Sequence, residues 1–312
     1  MFDEEAMELT REDRAAVLAF VHRAGVEWHV AAQLLEATGD AKRALRYEWS
    51  GLEPPELIET VVGTKPRQDP DADVQQYVEM IAALERDGVG LVTVLDDAYP
   101  TNLRLIYNRP PFLFVHGELR PDDQRSIAVV GTRKASARGL DLAGRLARDL
   151  VSAGVTVLSG LALGIDGAAH AATLEAAGRT VAVLGTGIRR IYPRQHDDLA
   201  KRIVASRGAL VSQFWPDAPP TRWSFPLRNV TMSGMAVGTV VVEASDTSGA
   251  RNQARRALEH GKRLFLVESL VMQETWAQRY AERPSTTVVQ SVDDVLRALE
   301  AELRPVSQLT LA

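Results

Sequence analysis

Short apolar runs alternate with stretches of helical periodicity through the middle of the chain. Ser126–Val130 is mostly apolar, partly β-branched and ended by Gly131, which is typical of a buried strand. Similar runs predict strands at 91–95, 112–115, 155–159, 180–184, 209–213, 239–243 and 263–267. Helical spacing predicts helices at 72–87, 140–153, 165–177, 196–206, 250–260 and 292–302. Alternating βα units with near-continuous apolar strands predict an α/β fold whose mainly parallel sheet is covered on both faces.

The first part of the chain has a different, helical pattern. Thr10 followed three residues later by Asp13 is a helix-start signature, and further helices are predicted at 28–35, 41–47 and 55–62. A polar stretch with two prolines at 64–71 is the best linker candidate. We therefore expect a small helical domain at 1–65, a larger domain at 66–304 and a short tail at 305–312.

Composition narrows the class of protein. The 312 residues include no cysteine, which excludes disulfides and zinc-thiolate sites. The N-terminus is acidic and no apolar run approaches membrane length, so we expect a cytoplasmic protein without membrane contact. Net charge is −5, yet residues 125–263 hold 20 Lys and Arg against 10 Asp and Glu. This asymmetry favours polyanion binding by the middle segment, although arginines on helix faces also serve solubility alone.

Ligands of parallel sheets bind at the carboxyl ends of the strands, so the loops that follow the strands are the candidate sites. The first is a glycine turn between a strand and a helix, which can bind phosphate or can be an ordinary turn with solvated charges. The second is rich in small residues, which permit close approach of a ligand or simply close packing of helix on strand. The candidates from these two loops are Gly131, Thr132, Arg133, Lys134, Ser159, Gly160, Gly164 and Asp166.

Later loops add cations and aromatic rings. Rings can stack on unpaired bases while guanidinium groups hold the backbone, a combination typical of single-strand binding. Trp215 and Trp223 lie among these cations. The remaining candidates are Gly185, Gly187, Arg189, Arg190, Arg194, Arg222, Phe225, Arg228, Asn229, Ser248, Gly249 and Arg251.

Several function classes are disfavoured. The first turn lacks G-x-G-x-x-G, and the chain has no G-x-x-x-x-G-K-[ST] motif, which argues against a nicotinamide dinucleotide and against a P-loop NTPase. Six scattered histidines show no metal-ligand spacing. No nucleophile–base set is evident. We expect a binding site without catalysis, cofactor or metal.

These residues resemble the DNA-processing protein A (DprA, or Smf) family. The resemblance covers roughly residues 90–268 and depends on eight short motifs in the same order. They include Ala128–Arg133, Ser159–Asp166, Gly178–Gly185 and the Phe-Pro-x-Arg-Asn run at 225–229. The chain departs from the family pattern at Leu163, where arginine is usual, and at 248–254. We expect a divergent member without the C-terminal winged helix.

The resemblance implies an extended Rossmann-like fold that binds single-stranded DNA in a basic pocket and passes the strand to RecA during natural transformation. It implies phosphate or base contacts for Arg133, Gly160, Gly164, Arg228 and Asn229. It also favours a homodimer through residues 245–302. Apolar side chains there, among them Leu270, Val271, Met272 and Trp276, either cap the chain's own sheet or form a self-complementary patch.

Two rival functions come from other classes. One is a nucleotide- or DNA-sensing module of the same superfamily in phage defence or signalling, which the sequence leaves open. The other is a nucleoside-monophosphate phosphoribohydrolase, which would carry a P-G-G-x-G-T loop that this sequence lacks.

Overall fold

The computed structural model describes residues 9–46, 48 and 70–299. These residues are distributed between two compact units. The first unit comprises the described parts of Met1–Tyr99 together with Ile106–His116. The second comprises Pro100–Leu105 and the described part of Gly117–Ala312. The predicted helix at 55–62 lies outside the described residues, as do the predicted tail and nearly all of the predicted linker. The predicted domain boundary near residue 65 therefore stays a prediction.

The first unit combines helices with an antiparallel strand pair. Its elements are α1 (Arg11–Ala24), α2 (Trp28–Thr38), α3 (Ala41–Leu45), α4 (Pro70–Arg86), β1 (Val89–Thr93) and β2 (Phe112–Gly117). In the strand pair, Val89 lies opposite His116. The predicted start of α1 is confirmed: the Thr10 side chain accepts a hydrogen bond from the Asp13 N–H, and the Asp13 side chain accepts one from the Thr10 N–H. This reciprocal pair satisfies two N–H groups that a helix start leaves open.

The second unit is a parallel sheet with helices between successive strands. Its strands are β3 (Ser126–Val130), β4 (Thr156–Ser159), β5 (Thr180–Val183), β6 (Ala209–Ser212), β7 (Gly238–Val241), β8 (Arg263–Val267) and β9 (Thr286–Val289). Its helices are α5 (Thr101–Arg104), α6 (Ala137–Ser152), α7 (Ile165–Glu175), α8 (Asp197–Ala205), α9 (Ser224–Met235), α10 (Gly249–Glu259), α11 (Glu268–Gln273), α12 (Thr275–Ala281) and α13 (Val292–Ala298). Short 3₁₀ turns lie at Pro121–Gln124 and Arg194–His196.

The seven strands of this unit lie in the order β6-β5-β4-β3-β7-β8-β9, and the pairings are parallel. Every residue of the central strand β3 is buried, as expected for a strand covered on both faces. Apolar side chains of β3, β4, β7 and β8 pack with α6, α7 and α13 in one continuous core. The predicted α/β fold with a mainly parallel sheet and a helical N-terminal part is confirmed. No described helix is long and apolar enough to span a membrane.

Five elements of the second unit were not predicted from the sequence pattern, the first being the one-turn helix α5. Helix α9 occupies residues interpreted as an aromatic and basic loop. Just before it, the Thr221 hydroxyl accepts a hydrogen bond from the N–H of Ser224, the first residue of the helix (3.0 Å). Strand β9 pairs in parallel with β8, so β8 is not the last strand of the sheet. The short helices α11 and α12 lie between them. Strand β9 begins with two threonines and is only partly buried, so it lacks the apolar run that indicates the equally short strands β4 to β7. Helices α11 and α12 have seven residues or fewer, too few for a clear helical period.

A buried histidine joins α7 to the sheet. The His170 Nδ1 lies 2.7 Å from the Thr180 hydroxyl oxygen, and that hydroxyl donates to the Val157 carbonyl (2.7 Å). Since the hydroxyl has a single proton, the imidazole must be the donor at Nδ1. Its Nε2 has no hydrogen-bond partner among the described residues. Burial, with smaller contributions from the charges of His196 and Arg228, lowers the pKa of His170 to about 3.

We expect His170 to make stability sensitive to acid. The folded protein keeps this imidazole neutral down to about pH 3, whereas the unfolded chain protonates it near its usual pKa of about 6.5. The free energy of unfolding should therefore fall as pH drops through this window, by up to about 1.4 kcal/mol per pH unit from this residue. Urea unfolding at several pH values between about 7 and 4 should show a shallower decline for His170→Gln. His29→Gln controls for loss of a surface imidazole, and equal slopes for His170→Gln and wild type would contradict the assignment.

Candidate functional site

A pocket of about 420 Å³ lies at the carboxyl edge of the parallel sheet. Loops that follow β3, β4 and β7 meet there with the first turns of α9 and α10. Ten of the residues proposed from the sequence line it: Gly131, Thr132, Arg133, Lys134, Asp166, Phe225, Arg228, Asn229, Ser248 and Gly249. The edge that sequence reasoning singled out is therefore the edge at which these residues come together.

The mouth of the pocket carries exposed cations beside an aromatic ring. Arg133 and Lys134 are exposed at the end of the glycine turn. The Arg133 guanidinium carbon lies 5.1 Å from the centroid of the Phe225 ring, within cation–π range. Tyr192 also packs on Phe225, with ring centroids 5.6 Å apart. Tyr192 is itself 42% exposed, so the mouth presents both π-faces and positive charge to solvent.

The wall of the pocket contains a buried arginine. Arg228 is only 6% exposed. Its Nη1 donates to the carbonyl oxygens of Gly160 (2.6 Å) and Val183 (2.7 Å), which lie at the ends of β4 and β5. Its Nε donates to the side-chain oxygen of Asn229 (3.1 Å). These contacts hold two strand ends together, and the phosphate contact expected for Arg228 stays a prediction.

Asp166 is the buried acidic partner of this region. One carboxylate oxygen accepts hydrogen bonds from the N–H groups of Gly160 (3.1 Å) and Ala162 (3.4 Å), which closes the loop after β4. Burial raises the pKa of Asp166, while the positive charge of Arg228 and the backbone N–H groups oppose that rise. Burial likewise lowers the pKa of Arg228. The charges of these two buried groups thus compensate each other.

The glycines of the site make room for neighbouring groups. A Cβ added at Gly160 would lie 2.0 Å from the Arg228 Nη1, and one at Gly185 would lie 2.5 Å from the Phe225 ring. Gly164 has a φ of +77°, and a Cβ there would lie 2.3 Å from the Thr132 carbonyl oxygen. A side chain at Gly131 would collide with Ile165, and one at Gly187 would collide with the Trp215 carbonyl. Packing explains these glycines within the described structure without a ligand.

The other proposed residues lie outside the pocket lining. Ser159 is buried, and its hydroxyl donates to the Val129 carbonyl (2.7 Å). Three arginines are exposed on the segment after β5, namely Arg189, Arg190 and Arg194. Arg222 stacks on the Trp223 ring at 4.7 Å, and Arg251 donates to Asp246 (2.6 Å).

Sequence reasoning missed several polar residues of this edge. Ser245, Thr247, Asn252 and Gln253 also line the pocket. Asn252 accepts a hydrogen bond from Asn229 at 3.2 Å. Their position in the sequence could have indicated them, because they lie between the end of β7 and the first turns of α10. Ligands of parallel sheets bind at the carboxyl ends of the strands.

The expected anion site at the start of α6 holds a carboxylate of the chain itself. The Ser136 N–H donates to the Glu243 Oε2 at 2.9 Å. Glu243 was not among the proposed residues. Among the described residues, no group of three or more histidines and carboxylates is arranged to hold a metal ion.

We expect Arg228 to be essential for stability. Arg228→Met would leave the Gly160 and Val183 carbonyls without their donor and Asp166 without its counter-charge, so the free energy of unfolding should fall by about 3 kcal/mol. Gly160→Ala should act in the same direction by displacing the guanidinium. Urea unfolding measures both, and Arg133→Ala is the matched control, expected to change stability by about 0.5 kcal/mol or less. A wild-type midpoint for Arg228→Met would contradict the structural role.

Comparisons with known proteins identify the family of this chain. Residues 90–300 match the profile of the family described as DNA recombination-mediator protein A. The chain is 36% identical over 189 residues to the DNA processing protein DprA of Bacillus subtilis, covering 60% of this chain and 63% of that protein. It is 42% identical over 182 residues to protein Smf of Escherichia coli, covering 58% of this chain and 49% of that protein. The matches thus span less than two thirds of either relative.

Solved structures show the same fold. The DNA processing protein A of Streptococcus pneumoniae superposes with a TM-score of 0.67 at 27% identity, over 93% of this chain and 98% of that chain. The DNA processing protein A of Helicobacter pylori, whose structure concerns its single-stranded DNA binding mode, gives a TM-score of 0.60 at 21% identity, over 69% of this chain and 97% of that chain. The resemblance inferred from the motifs is confirmed: the chain belongs to the DNA recombination-mediator protein A family.

Proposed function

We propose that the pocket at the carboxyl edge of the sheet binds single-stranded DNA with little sequence preference. The observation that carries this proposal is the Arg133 guanidinium over the Phe225 ring at the pocket mouth. An exposed base can stack on a ring while an adjacent cation holds its phosphate, and stacking tolerates any base. Relatives in the same family support the proposal, since the Helicobacter pylori protein is described by its single-stranded DNA binding mode.

A surface beyond the mouth extends the proposed path of the strand. Tyr192 continues the aromatic surface from Phe225. Arg222 and Trp223 form a second exposed cation–ring pair, and Trp223 is 65% exposed. Arg189, Arg190 and Arg194 supply further positive charge on the segment that carries Tyr192. On this proposal they contact successive phosphates outside the pocket, with no catalytic step.

The biological role proposed with this binding is that of a recombination mediator in the cytoplasm. The protein would protect incoming single strands and load RecA on them during natural transformation or recombination. Family membership supports the general role. RecA as the partner is carried over from the resemblance.

We expect the affinity for oligo-dT to decrease steeply with salt, since each neutralised phosphate releases counterions. Arg133→Ala should weaken binding by about 1.5–3 kcal/mol, the strength of a charge-assisted hydrogen bond. It should also reduce the magnitude of the log–log salt slope by about 0.7. Arg145→Ala is the matched control, because Arg145 is an exposed arginine on α6 paired with Asp141. Gel-shift titrations with oligo-dT, duplex DNA and free nucleotides test these outcomes.

A ring-specific variant separates stacking from charge in the same titrations. Phe225→Leu should weaken binding by about 1–3 kcal/mol through loss of stacking and leave the salt slope unchanged. Preference for duplex, or affinity that hardly responds to salt, would contradict the proposal. Preference for free nucleotides over oligo-dT would favour the nucleotide-sensing alternative.

We further propose a homodimer through residues 245–302, of which the structure describes 245–299. Part of the expected apolar patch is internal: Leu270 and Trp276 are buried, and the Trp276 Nε1 donates to the Ala244 carbonyl (3.3 Å). Met272 is 71% exposed, and Val288 on the edge strand β9 is 41% exposed. The proposed interface therefore depends on Met272 and Val288. Two pockets on one particle would let a long strand bind both and gain avidity.

We expect Met272→Asp to convert the dimer to a monomer without loss of folding, because an unpaired charge in an apolar interface is costly. Light scattering at micromolar concentration measures the mass, and circular dichroism measures folding. Leu105→Asp is the matched control, since Leu105 is 74% exposed and lies outside the proposed interface. A monomeric wild-type protein, or a dimer that survives Met272→Asp and Val288→Asp, would exclude this interface.

A further inference from the structure

The loop that presents Arg133 and Lys134 is attached at both ends to one residue. At its start, the Thr132 N–H donates to the main-chain oxygen of Glu243 (2.6 Å). At its end, the Ser136 N–H donates to the side-chain Oε2 of the same glutamate (2.9 Å). Between these bonds the side chains of Arg133 and Lys134 are exposed. Glu243 therefore holds both ends of the segment that carries the two exposed cations, Arg133 and Lys134.

The sheet and the first turn of α6 bring Glu243 to this place. Strands β3 and β7 pair in parallel with Val130 opposite Val241, so the residues that follow them are neighbours. A Cβ at Gly139 would lie 2.4 Å from the Glu243 Oε2, so glycine there leaves space for the carboxylate. A negative charge at a helix N-terminus is also favoured by the helix dipole. The pairing of β3 with β7, the space at Gly139 and the helix dipole thus all favour the observed position of the Glu243 side chain.

We propose that Glu243 is a positioning residue for DNA binding, which holds the 132–136 loop so that Arg133 and Lys134 face the strand. This inference rests on the proposed single-stranded DNA function. A loop already held in its binding conformation loses less conformational freedom when the strand arrives, which strengthens binding. Glu243 acts through the loop backbone and need not touch the DNA.

The charge of Glu243 has a separate effect that the test must remove. Glu243 lines a second hollow of about 270 Å³, together with Lys134, Arg138 and Glu274. Loss of any acid there makes the surface more positive and by itself strengthens phosphate binding. Glu274→Ala removes one acidic side chain from the same hollow without removing the bond to Ser136. It is the matched control for charge.

The decisive comparison uses Glu243→Ala and Glu243→Gln in the intact protein. Glu243→Ala removes the acceptor for Ser136, whereas the amide oxygen of Gln can still accept that bond. Glu243→Ala should bind oligo-dT about tenfold or more weakly relative to Glu274→Ala. Its salt slope should be smaller in magnitude by about 0.7 for each phosphate that the loop no longer neutralises. Glu243→Gln should keep the wild-type slope.

Hydrogen exchange tests the attachment of the loop to Glu243 without DNA. The Ser136 amide should exchange faster in Glu243→Ala and at the wild-type rate in Glu243→Gln. Partial unfolding would lower the bound fraction without changing the salt slope, so the slope separates positioning from simple destabilisation. Unchanged slope and exchange in Glu243→Ala would overturn the positioning role of Glu243 and leave the proposed function standing. A wild-type protein that does not bind oligo-dT would overturn both.

Discussion

The site depends on one buried guanidinium. Arg228 donates to carbonyl oxygens at the ends of β4 and β5, and its charge is compensated by the buried Asp166. Carbonyl groups at the end of a strand need donors of this kind when they are buried. Because Arg228 lies on the first turns of α9, the same bonds fix that helix against the sheet. Phe225, three residues earlier on α9, is thereby held at the pocket mouth.

The basic residues of the middle segment divide into two classes that composition does not separate. Arg228 and Arg179 stabilise the fold; Arg179 donates to Asp123 and to the Glu118 carbonyl at 2.5 and 2.7 Å. Arg133, Lys134 and Arg190 are exposed at or near the carboxyl edge. A net positive segment is therefore a guide to where a polyanion binds, and burial decides which of its charges remain available.

Much of the fold could be predicted from the sequence because its strands are apolar on both faces and its helices are long enough to show a period. The strand Ser126–Val130 and the strand 263–267 are observed with the expected bounds. Two of the elements escaped prediction for different reasons: β9 begins with two threonines and lacks an apolar run, and α9 begins within a run whose rings and arginines suggest a loop. The position of the candidate site was likewise predictable, since the carboxyl ends of parallel strands meet at one edge of the sheet and bring the loops after β3, β4 and β7 together. The function of single residues was not, because Arg133 and Arg228 look alike in sequence and differ only in burial.

The attachment of the Phe225 ring to the sheet through α9 has a mechanical consequence. Phe225 is carried by a helix that is hydrogen-bonded to two strand ends, and not by a free loop. On the proposed function, a DNA strand stacked on this ring and pulled from outside would load α9 along its attachment to β4 and β5, so the force would pass into the hydrogen-bonded sheet. A ring supported in this way would then hold the DNA under tension with little displacement.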